Sequence, residues 1–215
     1  MGASLEDVQL VEEDLAQRLY EQVIRRYVLA QAERWVQPML EVASIPRWFD
    51  PGILRNLVSH FRPKVGAAQP IQYYVARISD LIDLHLVDVT PGGIGYREEP
   101  TLRRLLNAVL TVLRPQEMAA MHGQAIEARK RELRPGVDRA AFYALEILYH
   151  LTQKTLIEAP KTVGRVVGDR LDLLLQEYFL SQGEPNVVQA TQLRHRLHND
   201  QELKLLASAE VWEDL

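Results

Sequence analysis

A mainly α-helical fold interrupted by one two-stranded β-hairpin is what this sequence predicts, and three observations carry that expectation. Ile71, Tyr74, Val75, Ile78, Leu81 and Ile82 recur at the three- and four-residue spacing that places apolar side chains on one face of a helix. Leu86-Val87-Asp88-Val89 and Ile94-Gly95-Tyr96-Arg97 then read as short strands on either side of Thr90-Pro91-Gly92-Gly93, where proline fixes one φ and the glycines permit positive φ. Helical spacing resumes with Leu102, Leu105, Leu106, Val109, Leu110 and Val112. Helix, two-stranded wing, helix is the outline of a winged-helix module, and the sequence that follows is written for antiparallel helical hairpins.

Each remaining element has its own signal. Leu15, Leu19, Val23, Ile24, Tyr27 and Val28 mark one long helix from Leu5 to about Leu29, with acidic residues early and Arg25-Arg26 late, as the helix dipole prefers. Residues 31–43 form a second helix, stopped by Pro46. Asp50-Pro51 supplies an N-cap and a first-turn proline for a helix through Phe61. Arg62 to Gln69, with Pro63 and Gly66, reads as a loop, and Pro70 opens the helix before the wing. Beyond the wing, Arg114-Pro115 separates Leu102–Leu113 from a helix at about Gln116–Leu133, which Pro135-Gly136 ends. Asp138–Leu156 is the next helix, with Phe142, Leu145, Leu148, Tyr149 and Leu156 as its core. Pro160 punctuates it. Val163, Val167, Leu171, Leu174 and Tyr178 mark another, closed by Gly183-Glu184-Pro185, and two shorter helices finish the chain. The expected division is a winged-helix region over residues 1–113 and a helical-hairpin region over 114–215.

Composition narrows the function classes. The 215 residues are 47% hydrophobic and 25% charged, the balance of a globular protein with a sizeable core. No uncharged apolar run approaches the roughly 20 residues that span a bilayer, and Met1–Asp7 lacks the basic and apolar regions of a secretory signal. The chain has no cysteine, which excludes disulfides, thiolate metal sites and thiol nucleophiles. A cytoplasmic location is the expectation. A net charge of −4 gives no global attraction to nucleic acid.

Glu41-Val42-Ala43-Ser44-Ile45-Pro46-Arg47-Trp48-Phe49-Asp50-Pro51-Gly52-Ile53-Leu54 is similar to the start of the winged-helix domain that follows the ATPase core in signal-transduction ATPases with numerous domains, the STAND class. Leu86–Arg97 and Thr101-Leu102-Arg103-Arg104-Leu105-Leu106 resemble the same class. So do Met121-His122-Gly123-Gln124-Ala125 and Glu146-Ile147-Leu148-Tyr149-His150-Leu151, which are similar to the helical hairpins after the winged helix in many bacterial members. Together the resemblance spans most of residues 10–215. It implies a regulatory, protein-interaction segment whose winged helix docks on a nucleotide-binding core, in cis or in trans, and whose helical region relays the signal.

Two departures qualify that implication. G-x-x-x-x-G-K-[ST] is absent, because Gly164 and Gly168 precede no Lys-Ser or Lys-Thr, so no phosphate-cradling loop and no ATP hydrolysis are expected. Eukaryotic immune and apoptotic members carry a nucleotide-sensing histidine just after the wing, where this chain reads Tyr96-Arg97-Glu98-Glu99-Pro100. No nucleophile–base constellation is recognisable either, and the chain reads as a non-enzyme without a cofactor.

A winged helix raises the question of DNA, and a DNA-binding transcriptional regulator is the rival reading. The helix before the wing presents Gln72, Arg77, Asp80 and Asp83, one cation against two anions, and Arg97 on the wing is offset by Glu98 and Glu99. Phosphates would be repelled, so specific DNA binding is disfavoured. Arg55, Arg62 and Lys64, and Arg129-Lys130-Arg131, read as solvated faces. His195 and His198, with Asp200 nearby, lack a third ligand for a metal site. His122 and His150 read as packing histidines. Among the tryptophans, Trp48 staples a helix start to the core, whereas Trp35 and Trp212 are candidates for partner contacts. The docking surface expected from the resemblance is the wing and the helix before it, exposing Tyr73, Asp80, Asp83 and Thr90.

Overall fold

The computed structural model describes residues 5–28, 30, 33–67, 69–134, 139–180 and 187–206. Its chain divides into two units, Met1–Met121 and His122–Leu215, and both are mainly helical. Among the described residues, no helix is long and apolar enough to cross a membrane.

In the first unit, α1 (Leu5–Leu19) runs directly into a π-helical segment, Tyr20–Val28. Its buried row is Ala16, Tyr20 and Ile24, four residues apart, while Leu15 and Val23 of the expected set are exposed. Two causes select that row. The small Ala16 side chain suits the packing of α1 on α6 (Pro100–Leu113), and the Tyr20 hydroxyl is drawn inward to donate to the Glu41 carboxylate. The side chains of Tyr27 and Val28 lie outside the described residues.

Helix α2 (Val36–Ala43) starts later than residue 31 and is buried on most sides. Asp50 caps α3 (Pro51–Phe61) by accepting from the Ile53 amide at 2.9 Å, with Pro51 at the first turn, as the sequence predicts. The expected loop after Phe61 contains a single helical turn, α4 (Pro63–Gly66). Proline pre-sets its first φ, and the Gly66 carbonyl accepts from the Tyr74 hydroxyl at 2.8 Å. Helix α5 (Ile71–Asp83) buries Tyr74, Ile78 and Leu81 but leaves Val75 exposed, since the narrow stripe at 74, 78 and 81 already covers the contact with α3. Its end is closed by paired bonds from the His85 amide to the Ile82 carbonyl (2.8 Å) and from the Leu86 amide to the Leu81 carbonyl (3.0 Å), with His85 at φ 58°. That is a Schellman termination with histidine where glycine is usual.

Strand β1 (Val87–Val89) pairs antiparallel with β2 (Tyr96–Glu98), in the register Val87↔Glu98, Asp88↔Arg97 and Val89↔Tyr96. The second strand begins two residues later than Ile94 because Gly95 is occupied on both sides. Its carbonyl accepts from the Thr90 amide (2.9 Å) and hydroxyl (3.0 Å), and a Cβ there would lie 2.5 Å from the Phe49 carbonyl oxygen. Phe49 adds a third arm, exchanging hydrogen bonds of 2.7 and 2.8 Å with Tyr96. At the hairpin tip Gly92 and Gly93 have φ of 81° and 66°. No atom lies within 4 Å of a Cβ built on either glycine, so a side chain there meets backbone strain alone. Gly92→Val with Gly93→Val is therefore expected to destabilise the unit by about 2–4 kcal/mol, roughly 1–2 per residue, while the helices keep their circular dichroism. Unchanged hydrogen-exchange protection over 86–97 would contradict the turn geometry.

Glu99 caps α6 by accepting from the Leu102 amide at 2.7 Å, and Leu102, Leu106, Val109 and Leu110 of α6 are buried as its spacing predicts. A charged network then ties the unit together. The Glu41 carboxylate, almost fully buried, accepts from Arg62 Nη2 at 2.8 Å, Arg114 Nη1 at 3.0 Å and Gln37 Nε2 at 3.1 Å, and from the Tyr20 hydroxyl. Arg62 also donates to Glu117 in α7 (Pro115–Glu132). Arg62 is thus an internal tie, not part of a solvated face, because α2 carries a buried carboxylate that needs cations.

The second unit is organised on α8 (Ala140–Glu158), whose residues 144–150 are all buried. A short 3₁₀ turn, Pro160–Thr162, leads to α9 (Val163–Leu174), which continues into a π-helical segment, Leu175–Leu180. Then come α10 (Val187–Asn199) and α11 (Gln201–Leu206). Helices α9, α10 and α11 all contact α8, and Val167, Leu171, Leu174, Leu193 and Leu203 fill the core against Ile147 and Leu148. Phe142 and Leu156 are only half-buried. Phe142 is covered by the Arg196 guanidinium, 3.8 Å from the ring centroid. Arg129, expected on a solvated face, is buried, bonded to Glu132 at 3.0 Å with its guanidinium 5.9 Å from the Tyr143 ring. An arginine stem packs like an apolar side chain, and a planar guanidinium tolerates burial against a ring and a carboxylate. Residues 135–138, 183–185 and Trp212, which carry expected helix ends and a candidate contact, lie outside the described residues.

Candidate partner-binding face

Helix α5 turns one side to α3 and offers the other. On that side Tyr73, Arg77, Asp80 and Leu84 follow one another at spacings of three and four residues, so their side chains adjoin. Arg77 is held between two rings, its guanidinium carbon 4.6 Å from the Trp35 centroid and 5.2 Å from that of Tyr73. Its Nη1 donates to Asp80 Oδ2 at 2.8 Å. Trp35 in turn donates from Nε1 to Glu33 Oε2 at 2.7 Å. Cation–π contact and ion pair together fix a side chain that would otherwise be mobile.

The charge on this face follows. Among the residues lining this face the cation is Arg77, which is paired with Asp80, while Asp83 and Glu33 stand exposed. A hollow of about 470 Å³ opens here, lined by Glu33, Trp35, Val36, Arg77, Asp83 and Leu84 together with Asp80. Exposed Leu84, and Val75 and Val89 elsewhere on α5 and β1, add apolar surface. An aromatic wall, an apolar edge and an excess of carboxylates suit contact with a basic and apolar protein surface, and repel phosphate.

Three of the four sequence-predicted contact residues gather at this face. Tyr73 is half-buried, edge-on to Tyr74 with ring centroids 5.3 Å apart, and faces Arg77 rather than lying bare. Asp80 and Asp83 line the hollow. Thr90 differs from expectation: it is buried, because its hydroxyl closes the hairpin onto Gly95. Glu33 and Leu84 escaped sequence reasoning, since neither belongs to a periodic apolar stripe. Trp35 was visible as a large aromatic just before a helix.

The other candidate groups serve packing or caps. His122 and His150 are buried with their Nδ1 atoms 2.9 Å apart, so one ring donates and the other accepts. Asp200 caps α11 by accepting from the Leu203 amide at 3.0 Å, and the exposed His195 contacts Asn199. No group of three His, Asp or Glu able to hold a metal ion occurs among the described residues. Near the hairpin, Glu98 is buried and its two carboxyl oxygens have no hydrogen-bond partner among the described residues. Burial pushes its carboxyl well above the ordinary range, Arg103 opposing and Glu99 adding to the shift. Glu98 therefore does not offset Arg97 as a surface charge would. Compared with known protein families, curated proteins and solved structures, the chain matches none.

Proposed function

We propose that residues 1–113, an N-terminal helix followed by a winged helix, dock through the winged helix on the nucleotide-binding core of a STAND-type signalling ATPase, and that the chain acts without catalysis as a regulatory, protein-interaction segment. In this reading the winged helix rests against the core and swings away on activation, and the hairpins behind it relay the signal. The element order supports a winged helix: α2, Phe49 arm, α3, the single turn α4, α5, β1, turn, β2, with Phe49 and β1 both bonded to β2. The observation that carries docking on protein, over the rival reading of a DNA-binding regulator, is the face of α5. Its single arginine is stacked and paired, leaving carboxylates and apolar side chains outward. A base-reading helix needs the reverse.

The test is association of the full chain with the P-loop ATPase core encoded beside it, measured by sedimentation. Tyr73→Ala and Asp80→Lys, each checked for native melting, are expected to weaken binding about tenfold or more, the effect of losing a central contact. No such core, no association, or unchanged binding by both variants would overturn the proposal. Anisotropy on a randomised DNA duplex pool at physiological salt is expected to show weak binding without an enriched sequence. A tight, enriched motif would establish the rival.

A further inference from the structure

Within the second unit, α7, α8 and α9 enclose a separate hollow of about 270 Å³ whose chemistry is opposite to that of the α5 face. Its apolar floor is Ile126, Ile147 and Leu151. Lys130, Lys154 and Arg170 also line it, against the lining carboxylate of Glu127 and that of Glu158, which pairs with Lys154, so three cations and two anions leave a local charge of +1 in a chain whose net charge is −4. Among the described residues the lysines pair with solvent-exposed carboxylates of their own helices: Lys130 Nζ lies 2.6 Å from Glu127, and Lys154 Nζ 3.1 Å from Glu158. Such pairs contribute little and exchange readily. Arg170 has no hydrogen bond or ion pair among the described residues.

On the α7 side Gly123 lines the hollow beside Ile126, Glu127 and Lys130. Glycine in a helix interior is destabilising relative to alanine. Here a Cβ would point at the Lys154 stem, 3.6 Å from Cε, so the missing side chain leaves room in the hollow without relieving any clash.

We propose that this hollow binds a small apolar molecule ending in an anionic group, a carboxylate or a phosphate ester. The apolar body rests on Ile126, Ile147 and Leu151, and the anion is met by Arg170, whose planar guanidinium matches either group bidentately, with Lys130 and Lys154 flanking. The size, just below the usual range of ligand pockets, suits a single ring or a short chain. This site is independent of the docking reading, since it uses no residue of the first unit.

The experiment titrates the full chain with phenylacetate and with phenyl phosphate, following amide shifts by NMR, with benzylamine and benzyl alcohol as charge controls. Saturable shifts confined to α7, α8 and α9 are expected with one or both anions, and the stronger of the two identifies the head group. Arg170→Ala is expected to weaken that binding about tenfold, the loss of one charge-assisted contact. Gly123→Leu, which favours the helix, is expected to abolish it by filling the space while leaving the melting temperature unchanged or raised. No saturable shift with either anion, equal binding of benzylamine, or unaltered affinity in both variants would overturn the site.

Discussion

Glu41→Ala is expected to lower the stability of the first unit by about 3–5 kcal/mol, the range for removing one partner from a buried ionic network. The variant removes the buried carboxylate that Arg62 and Arg114 share, leaves Glu117 alone to answer both cations, and deprives the Tyr20 hydroxyl of its acceptor. Burial by itself would raise the Glu41 carboxyl. Hydrogen bonds from Tyr20, Gln37 and Arg62, with the charge of Arg114, outweigh it and hold the group below its ordinary value of 4.5. A depressed folded value means stability that is present above the unfolded pKa and is lost as pH falls through the folded one. Urea unfolding at pH 7 reads the effect, and an unfolding free energy within about 1 kcal/mol of wild type would show the network to be dispensable.

Glu98→Gln is expected to act in the opposite direction, raising stability at pH 7 by about 2 kcal/mol, or roughly 4–8 °C in melting temperature. Burial raises the folded pKa of Glu98 well above 4.5, so its contribution is fully present below the unfolded value and is lost as pH rises towards the folded one. Glutamine keeps the shape and removes the ionisation. The gain is therefore expected to vanish near pH 4 and to grow toward pH 8. A variant less stable than wild type at pH 8, or a gain independent of pH, would mean that Glu98 is ionised in the fold and answered by Arg103.

Much of this was legible in the sequence where periodicity or punctuation is strong. Asp50-Pro51 marks a helix start because a cap and a first-turn proline act locally, and Gly92-Gly93 mark the turn because glycine tolerates positive φ; the similar pair Glu99-Pro100 opens α6 ahead of the Leu102 expected from periodicity. What escaped depends on partners distant in sequence. Leu15 looked as apolar as Ala16, yet packing on α6 selected Ala16. Arg62 and Arg129 looked like surface cations, and their fate was fixed by Glu41, 21 residues away, and by the Tyr143 ring. Glu41 itself, a charge within Met39-Leu40-Glu41-Val42-Ala43, was the available signal. For the candidate face, Asp80 and Asp83 could be read from helical spacing, whereas the stacking of Arg77 on Trp35 joins segments that no local pattern connects.

The left-handed turn at His85 and the Phe49–Tyr96 pairing give the hairpin a mechanical character. The turn welds β1 to the end of α5 with two backbone bonds, and the Phe49 arm rivets β2 to the chain just ahead of α3. Tied ahead of β1 and along β2, the hairpin has less freedom to shift relative to α3 and α5 than an untethered one, because such a movement first breaks backbone hydrogen bonds.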